Sequence, residues 1–342
     1  MANYANTAIL NALADLSDKS NKDMRAPTYG ATNAFSKYKR DLIVNYDEFN
    51  LIKNKSDLQT KQIDYLRRNT GTIYDHRNHS LTGDMGDSTR DSLTWVTYSR
   101  EFTISDDNMR NNTQAVRMLS NQIRNARLDI GGEVETDAVT KLEAFKNTID
   151  PVSSLSGWDG TNYSNEIALA NKDQYFNYIN TEMQGRDYNG NIQVISTNAA
   201  NALISYQTAQ GAGNSTNLQF QYPNLEFEWS NSVSNLSDYF CTSYACEEGS
   251  LGMIDWIPGK NREGLMGHGD FDFTSMADPF GIFDNMALAV EKKVQDSSSA
   301  GENIGGNTQD AVWLYELSVD VALYIPTITT QKLVNKYGLL SS

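Results

Sequence analysis

The chain of 342 residues is long enough for about two domains and for a sizeable buried core. Its apolar share of 39% is somewhat low for a compact globular protein, which fits a chain with extended arms or one that completes its burial against neighbours. The first 20 residues lack a secretory pattern and no apolar run could span a bilayer, so we expect synthesis in a cytosol and no membrane contact. Two cysteines, Cys241 and Cys246, are too few for a disulfide framework and are predicted to be reduced thiols.

The formal net charge of −15 is unevenly distributed along the chain. Residues 1–150 carry a net charge of −1, whereas residues 151–342 carry −14. The front of one copy could therefore attract the back of another, although solvated faces of unequal composition explain the pattern equally well. A strongly acidic surface argues against tight nucleic-acid binding as the main activity.

The first hundred residues predict two extended segments. Residues 1–40 combine a short amphipathic piece with a polar run around Pro27, which is typical of an arm that gains order by lying on another surface. Residues 41–104 form a long excursion with few apolar residues, whose outgoing and returning limbs are expected to pair. The returning limb is predicted at Leu93–Ile104, where β-branched and aromatic residues dominate.

A very long amphipathic helix follows this limb. Ser105-Asp106-Asp107 is a good helix start, and the apolar residues behind it recur every three or four positions to about Lys146. At 1.5 Å per residue the predicted rod is roughly 60 Å long, more than a compact domain of this size needs. Gly131-Gly132 predicts a kink or a close backbone contact. The predicted core stripe is Val116, Leu119, Ile123, Ala126, Ile130, Val134, Ala138, Leu142 and Phe145.

Charged residues on this helix are ordered with the cations first. Arg110, Arg117, Arg124 and Arg127 precede the acids that run from Asp129 to Glu143. Because this order opposes the helix dipole, it does not serve helix stability. Pairing between subunits and a solvated face both remain open as explanations.

Beyond a break at Asp150-Pro151 and residues 153–160, the pattern changes to alternating elements. The last of the predicted strands, Val312–Ile325, is the longest in the chain and ends at Pro326. The other predictions are helices at 175–183, after Asn198 and at Met286–Val294, strands at 192–195, 218–222, 225–229 and 249–257, and a loop at 297–307.

Motifs for the common nucleotide, zinc-protease and α/β-hydrolase chemistries are absent from the sequence. His268-Gly269-Asp270-Phe271-Asp272 could place an imidazole and carboxylates on one face of an extended segment as metal ligands, but a polar glycine-rich loop is the more ordinary interpretation. His76 and His79 are expected in a solvated loop. The five scattered tryptophans could form a sugar-stacking platform, although packing is the commoner role.

The order of these parts resembles the HK97-like major capsid proteins of tailed double-stranded DNA bacteriophages. The most specific pieces are Phe102–Asp107 opening the helix, Ile192–Asn198 as a strand entering a helix, and Tyr315–Tyr324 as the closing strand. The resemblance implies an α+β fold, with a spine helix and β-sheet in the P-domain and a central sheet with flanking helices in the A-domain. Its implied parts are the N-arm at 1–40, the E-loop at 41–104, the P-domain spine helix and following strand at 105–159, the A-domain at 160–308, and the return strand to the P-domain with a C-terminal tail at 309–342.

The resemblance further implies a non-enzymatic structural protein without cofactors. Copies would assemble as hexamers and pentamers in the host bacterial cytoplasm, and the virion shell would enclose DNA without sequence-specific binding. A portal, decoration proteins and a scaffolding protein are the implied partners. Because Met1 is not followed by a long charged helical segment, we expect a separate scaffolding protein. The alternatives are an encapsulin-like shell around a cargo enzyme and, from another class, a metal- or carbohydrate-binding protein.

Contacts between subunits are predicted at two groups of residues. Trp95 and Tyr98 are expected to be the packing anchors of the E-loop. The cations predicted to meet acidic neighbours are Lys53, Arg67, Arg68, Arg77 and Arg90 in the E-loop and Arg110, Arg117, Arg124 and Arg127 on the spine helix.

Overall fold

The structure is a computed structural model, and residues 11–12, 15, 25–37, 46–54, 62–66, 73–77, 88–105, 112–150, 155–188, 190–204, 224–258, 266–268, 271–278, 280–296, 309–327 and 332–342 are described. The helices are Gly30–Lys37 (α1), Tyr46–Asn54 (α2), Asn112–Phe145 (α3, the spine helix) and Tyr175–Gly185 (α4), with 3-10 turns at Leu169–Gln174 and Asn198–Ala200. The strands are Gln62–Leu66 (β1), Ser88–Ser92 (β2), Val96–Ser105 (β3), Gly157–Asp159 (β4), Ser164–Ile167 (β5), Ile192–Thr197 (β6), Leu225–Ser230 (β7), Tyr239–Glu247 (β8), Gly252–Trp256 (β9), Met266–His268 (β10), Phe271–Ala277 (β11), Asn285–Asp296 (β12), Gln309–Tyr324 (β13) and Asn335–Leu340 (β14).

The first sheet is built around β13, the longest described strand. Its strand order is β10-β11-β12-β13-β3, and β9 pairs with the far end of β13. The strand β13 pairs antiparallel with β12 on one side and with β3 on the other, from Val312↔Ser105 to Val321↔Val96. The long closing strand predicted at Val312–Ile325 is therefore present, and β3 lies at an edge of this sheet.

The spine helix packs one face against this sheet. Its 34 residues correspond to about 51 Å. On the sheet, the ring of Phe102 on β3 stacks on the ring of Tyr315 on β13, with 5.2 Å between the ring centroids. Val116 and Phe145 of the predicted stripe are only partly buried. Of the predicted helix start, Ser105 is the last residue of β3, and residues 106–107 lie outside the described part of the chain. The fully buried stripe residues are Leu119, Ile123, Ala126, Val134, Ala138 and Leu142, with Ile130 4% exposed.

The second sheet has the strand order β4-β5-β14-β8-β6-β7. Helix α4, which was predicted, packs on this sheet through Phe176, Ile179 and Met183. The C-terminal segment, expected to be a tail, forms β14 inside the sheet, parallel to β5 and antiparallel to β8. Because β9 to β12 belong to the first sheet, the region predicted as the A-domain contributes strands to both sheets.

The two limbs of the excursion pair with each other through β1 and β2. Strands β1 and β2 are antiparallel, from Gln62↔Ser92 to Leu66↔Ser88. Pairing of the two limbs agrees with the prediction, but the returning limb that pairs is Ser88–Ser92, so its prediction at Leu93–Ile104 is wrong. That segment contains β3, which pairs with β13 because its inward side chains complete the core under the spine helix.

Two further predictions are corrected by the structure. Met286–Val294 forms part of strand β12, not a helix, and Met286, Leu288 and Val290 are buried at alternate positions. Part of the predicted N-arm lies in the core of its own subunit: α1 buries Ala34 and Phe35 completely. An arm that is covered by its own spine helix needs no neighbour for this part of its order.

Candidate inter-subunit surfaces

The base of the excursion is clamped to its own subunit on both limbs. On the outgoing limb, Lys53 of α2 pairs with Asp255 at 3.1 Å and with Asp284. On the returning limb, Asp91 accepts hydrogen bonds from the Tyr324 hydroxyl at 3.1 Å and from the Thr327 backbone N–H at 3.0 Å. The predicted contact of Lys53 with an acidic neighbour is therefore replaced by two acids of the same chain.

Trp95 and Tyr98 also pack within the subunit. Trp95 is partly buried against the small cluster that contains Ile52 and Leu93. Tyr98 is buried, and its hydroxyl donates to Asp137 of the spine helix at 2.5 Å. Burial and this carboxylate raise the pKa of Tyr98 well above its ordinary value. Both side chains tie the end of the excursion to its own core.

All residues of the described tip of the excursion, residues 73–77, are exposed. Ile73 is 96% exposed, Tyr74 is 51% exposed, and Arg77 is exposed beside them. His76 contacts Asp75 at 2.7 Å. Arg90 is exposed on β2. The remaining predicted excursion residues Arg67, Arg68 and His79 lie outside the described residues, as does Arg110.

Arg127, predicted to contact a neighbouring subunit, is completely buried in its own. Its Nε and Nη2 atoms donate to the two carboxylate oxygens of Asp278 at 2.5 and 2.8 Å. The guanidinium also lies over the rings of Tyr29, Phe280 and Phe283, 5.5, 5.1 and 4.8 Å from their centroids. A side chain enclosed in this way cannot reach another subunit, so the prediction is wrong for Arg127.

Asp278 is equipped to remain ionised. Its carboxylate accepts backbone N–H groups from Phe280, Ile282 and Phe283 at 3.1, 2.9 and 3.0 Å. Burial alone would raise the pKa of Asp278, but Arg127 and these donors outweigh it and hold the pKa below its ordinary range. The pair fixes the loop before β12 to the middle of the spine helix.

Gly131 makes room for this pair. A Cβ atom at Gly131 would overlap the Arg127 guanidinium and lie 2.9 Å from the Tyr29 ring. The spine helix is continuous through Gly131 and Gly132. Of the two predicted possibilities, a kink or a close contact, the close contact is therefore the one found at Gly131. Of the other spine arginines, Arg124 is buried and Arg117 is exposed. An inter-subunit role therefore remains a prediction for Arg117.

Glu135 is a buried acceptor, whereas the sequence pattern leaves it open whether the acids of the spine helix pair with another subunit or face solvent. Its carboxylate accepts the backbone N–H groups of Ala31 and Thr32 at 2.9 and 2.7 Å, and the Thr32 and Ser230 hydroxyls at 2.7 and 2.5 Å. A carboxylate at the first turn of α1 satisfies helix N–H groups and faces the positive end of the dipole. Glu135 thereby joins the spine helix, α1 and β7. Its position next to Val134 in the apolar stripe is the signal that could have revealed it.

Glu143 makes a second polar connection, at the C-terminal end of the spine helix. It accepts from the Tyr244 hydroxyl at 2.5 Å and from Lys336 Nζ at 3.1 Å, and it also pairs with Lys146. Burial alone would raise the pKa of Glu143. Lys146, Tyr244 and Lys336 lower it by a larger amount, so the pKa lies below its usual value. The spine helix is thus fastened to β8 and β14 of the second sheet.

A groove of about 410 Å³ lies between β3 and the spine helix. Arg100 and Asp129 form an ion pair at this site. Glu133 is exposed, one helical turn beyond Asp129. The groove is lined by Thr97, Tyr98, Ser99, Arg100, Asp129, Ile130 and Glu133.

The described residues do not bring together the metal ligands that were considered at 268–272 as the less ordinary interpretation. His268 lies on β10 and Asp272 on β11, with His268 opposite Phe271 and Gly267 opposite Asp272, so His268 and Asp272 are not on one strand; residues 269–270 lie outside the described residues. No group of three metal-binding side chains occurs in the part of the chain that the structure describes. Burial raises the pKa of Cys241 and Cys246 to about 12, which disfavours a thiolate nucleophile. Within the same residues, no helix is both long and apolar enough to cross a membrane.

Comparison with known proteins identifies the fold. No family model matches the sequence, and no curated protein matches it. A solved structure titled "Cyanophage A-1(L) capsid asymmetric unit" is similar over 95% of this chain and 98% of that one, with a TM-score of 0.53 and 10% identity. A structure from Mycobacterium phage Che8 is similar over 94% of both chains, with a TM-score of 0.50 and 12% identity. The chain has the α+β HK97-like fold of tailed-phage capsid proteins.

Proposed function

We propose that this chain, which has the fold of tailed-phage capsid proteins, is a major capsid protein. It self-assembles as hexamers and pentamers into an icosahedral shell that encloses packaged double-stranded DNA, and it carries no catalytic site. The observation that carries this proposal is the similarity to a cyanophage capsid subunit along 95% of the chain.

The proposed mechanism of assembly is physical. The excursion of one subunit lies across its neighbour and buries there the apolar side chains, such as Ile73, that its own subunit leaves exposed. Its cations, with Arg77 and Arg90 in the described part, are matched to acids of the neighbour. Clamping by Lys53 and Asp91 supports this role, because a fixed base gives the excursion a defined direction.

The acidic character of the chain suits a container for DNA. A net charge of −15 limits adhesion of the shell to the packaged polyanion, so enclosure depends on geometry and not on sequence-specific binding. We propose a separate scaffolding protein, a portal and decoration proteins as partners. Assembly in the host bacterial cytoplasm and residence in the virion follow from this role.

Electron microscopy and size-exclusion chromatography of the expressed chain test the proposal. We expect closed particles and a species far larger than the 38.2 kDa subunit. A protein that remains monomeric at all concentrations would contradict any shell function. Particles that retain a protein cargo and never DNA in the producing host would indicate the encapsulin-like alternative.

The excursion cations provide a second test. Charge reversal of Arg67 and Arg68 together is expected to impair assembly, because two contacts to acidic neighbours become repulsive. We expect the subunit to remain folded, and circular dichroism of the unassembled variant separates a loss of assembly from a loss of folding. Normal particles from this double variant would remove the proposed role of the two arginines.

A further inference from the structure

We propose that strand β14 is a latch, which closes the second sheet in a step separate from the folding of the spine helix and thereby makes the subunit competent for assembly. The last part, the control of assembly, rests on the proposed function. The described sheet has the order β4-β5-β14-β8-β6-β7, so β14 alone joins β4 and β5 to the other three strands. Opening of the latch would therefore divide the sheet into two parts.

The ladder partners of the latch lie far from it in the chain. Tyr337 pairs with Asn165 on β5 and with Ser243 on β8. The Asn165 side chain also donates to the Lys336 carbonyl, 171 residues away, at 3.1 Å. Contacts over such distances carry the entropy cost of closing a long loop. A strand with one distant partner on each edge is complete only when both partners are in place.

The Tyr239 side chain crosses the latch as a strap. Its hydroxyl donates to Glu166 Oε1 on β5 at 2.9 Å and lies 2.6 Å from Ser164 Oγ at the start of the same strand. Tyr239 itself belongs to β8, so its side chain spans β14 from one neighbouring strand to the other. Burial raises the pKa of Tyr239, so the hydroxyl keeps the proton that it donates.

Gly338 is the residue of the latch that lies beneath this strap. A Cβ atom at Gly338 would overlap the Cδ2 and Cε2 atoms of the Tyr239 ring and lie 2.8 Å from its Cζ atom. Glycine has no Cβ atom and permits this close approach. Any other residue at this position requires the strap to move away from the latch.

Closing the latch also fixes the second sheet to the spine helix. Lys336 Nζ lies 3.1 Å from both carboxylate oxygens of Glu143 on that helix. Just beyond the helix, the Asn147 backbone N–H donates to the carbonyl of Val334, the residue before the latch, at 2.7 Å. A closed shell is built from copies of one shape, so a subunit with an open latch is expected to be excluded from it.

Hydrogen exchange of the unassembled 342-residue chain tests the latch through the variant Gly338→Ala. The added methyl group displaces the Tyr239 ring, so we expect residues 335–340 to exchange about tenfold faster while the spine helix keeps its protection. Gly132→Ala is the matched control, because a Cβ atom at Gly132 meets nothing within 4 Å. This control should leave exchange in residues 335–340 unchanged.

Substitutions of Tyr239 test the strap itself. Adding Gly338→Ala to Tyr239→Ala should cause no further acceleration, because no ring is left to meet the methyl group. Adding Gly338→Ala to Tyr239→Phe should still accelerate exchange, because the ring remains. An effect of Gly338→Ala in the Tyr239→Ala background as large as in the Tyr239→Phe background, or larger, would overturn the strap.

The yield of closed particles tests the role of the latch in assembly. We expect few particles from Gly338→Ala and a normal yield from Gly132→Ala. Normal particles from a Gly338→Ala chain that exchanges fast in residues 335–340 would overturn the control of assembly. Unchanged exchange there, or equal loss of protection in the spine helix, would overturn the separate latch. If the wild-type chain forms no particles, the proposed function fails, whereas exchange in the unassembled chain still decides whether the latch exists.

Discussion

The buried pair of Arg127 and Asp278 gives the sharpest prediction on the stability of the subunit. Removing one partner of a fully buried ion pair leaves an uncompensated charge and costs about 3–5 kcal/mol. Arg127→Met is expected near the lower end, because Asp278 keeps three backbone N–H donors. Asp278→Asn is expected near the upper end, because it leaves the enclosed Arg127 cation without its carboxylate and puts an NH₂ donor where an oxygen accepted hydrogen bonds.

Urea unfolding of the unassembled subunit, followed by circular dichroism at pH 7, measures these losses. The double variant Arg127→Met/Asp278→Asn should lose about 2 kcal/mol less than the sum of the single variants, because neither charge is then left alone. Arg117→Met is the matched control on the same helix, and since Arg117 is exposed it should change stability by less than about 0.5 kcal/mol.

The dependence on pH adds a check of sign. The pKa of Asp278 is lowered in the folded state, so its stabilisation is present above the unfolded pKa of about 3.9 and is lost as pH falls through the lower folded pKa. The gap between the wild type and Arg127→Met should therefore shrink below pH 4 or so. Additive losses in the cycle, or an Arg127→Met variant as stable as Arg117→Met, would refute this account of the pair.

Three further predictions concern other buried groups. Glu135→Gln should cost about 1–3 kcal/mol, since an amide N–H₂ replaces one acceptor, and hydrogen exchange should accelerate in residues 30–37. Burial raises the pKa of Asp320 despite the hydrogen bond from Thr97, so Asp320→Asn should unfold at higher urea than the wild type at pH 7, and this advantage should vanish as pH falls below about 3.9. Cys241 and Cys246 should react with a thiol reagent only after unfolding, and rapid reaction of the native subunit would contradict their burial.

Long elements with one repeated period were predictable from the sequence. The spine helix and β13 each bury a regular stripe over many residues, so their own patterns determine them. The prediction of a helix at Met286–Val294 is wrong because two patterns coincide there. Met, Ala, Leu, Glu and Lys favour a helix, whereas burial of Met286, Leu288 and Val290 has the period of a strand. Pairing with β11 and β13 decides the outcome, and a single sequence does not contain that information.

The prediction for Arg127, a charged residue of the spine helix, is wrong for a different reason. Arg127 is four residues after Ile123 and three before Ile130, so the helical period already places it on the buried stripe. A charged side chain usually indicates exposure, but a buried charge is tolerated where partners neutralise it. The partner Asp278 is 151 residues away, so the pair itself could not be predicted from local sequence. Gly131, one turn later, was the available indication that something large needed space.

These contacts divide the charged residues of the chain into two classes with different consequences. Arg127 joins the spine helix to the loop before β12, Glu135 joins it to α1, and Glu143 joins it to the second sheet. Loss of any of these residues therefore acts on the subunit before any assembly. Arg77 is exposed on the excursion, so removing its proposed contact with a neighbour should leave the stability of the isolated subunit nearly unchanged. Variants of the first class should therefore lower the midpoint of urea unfolding, whereas variants of the second class should lower the yield of particles at an unchanged midpoint. An Arg77 variant that unfolds at lower urea than the wild type would place this residue in the first class and contradict its assignment to an interface.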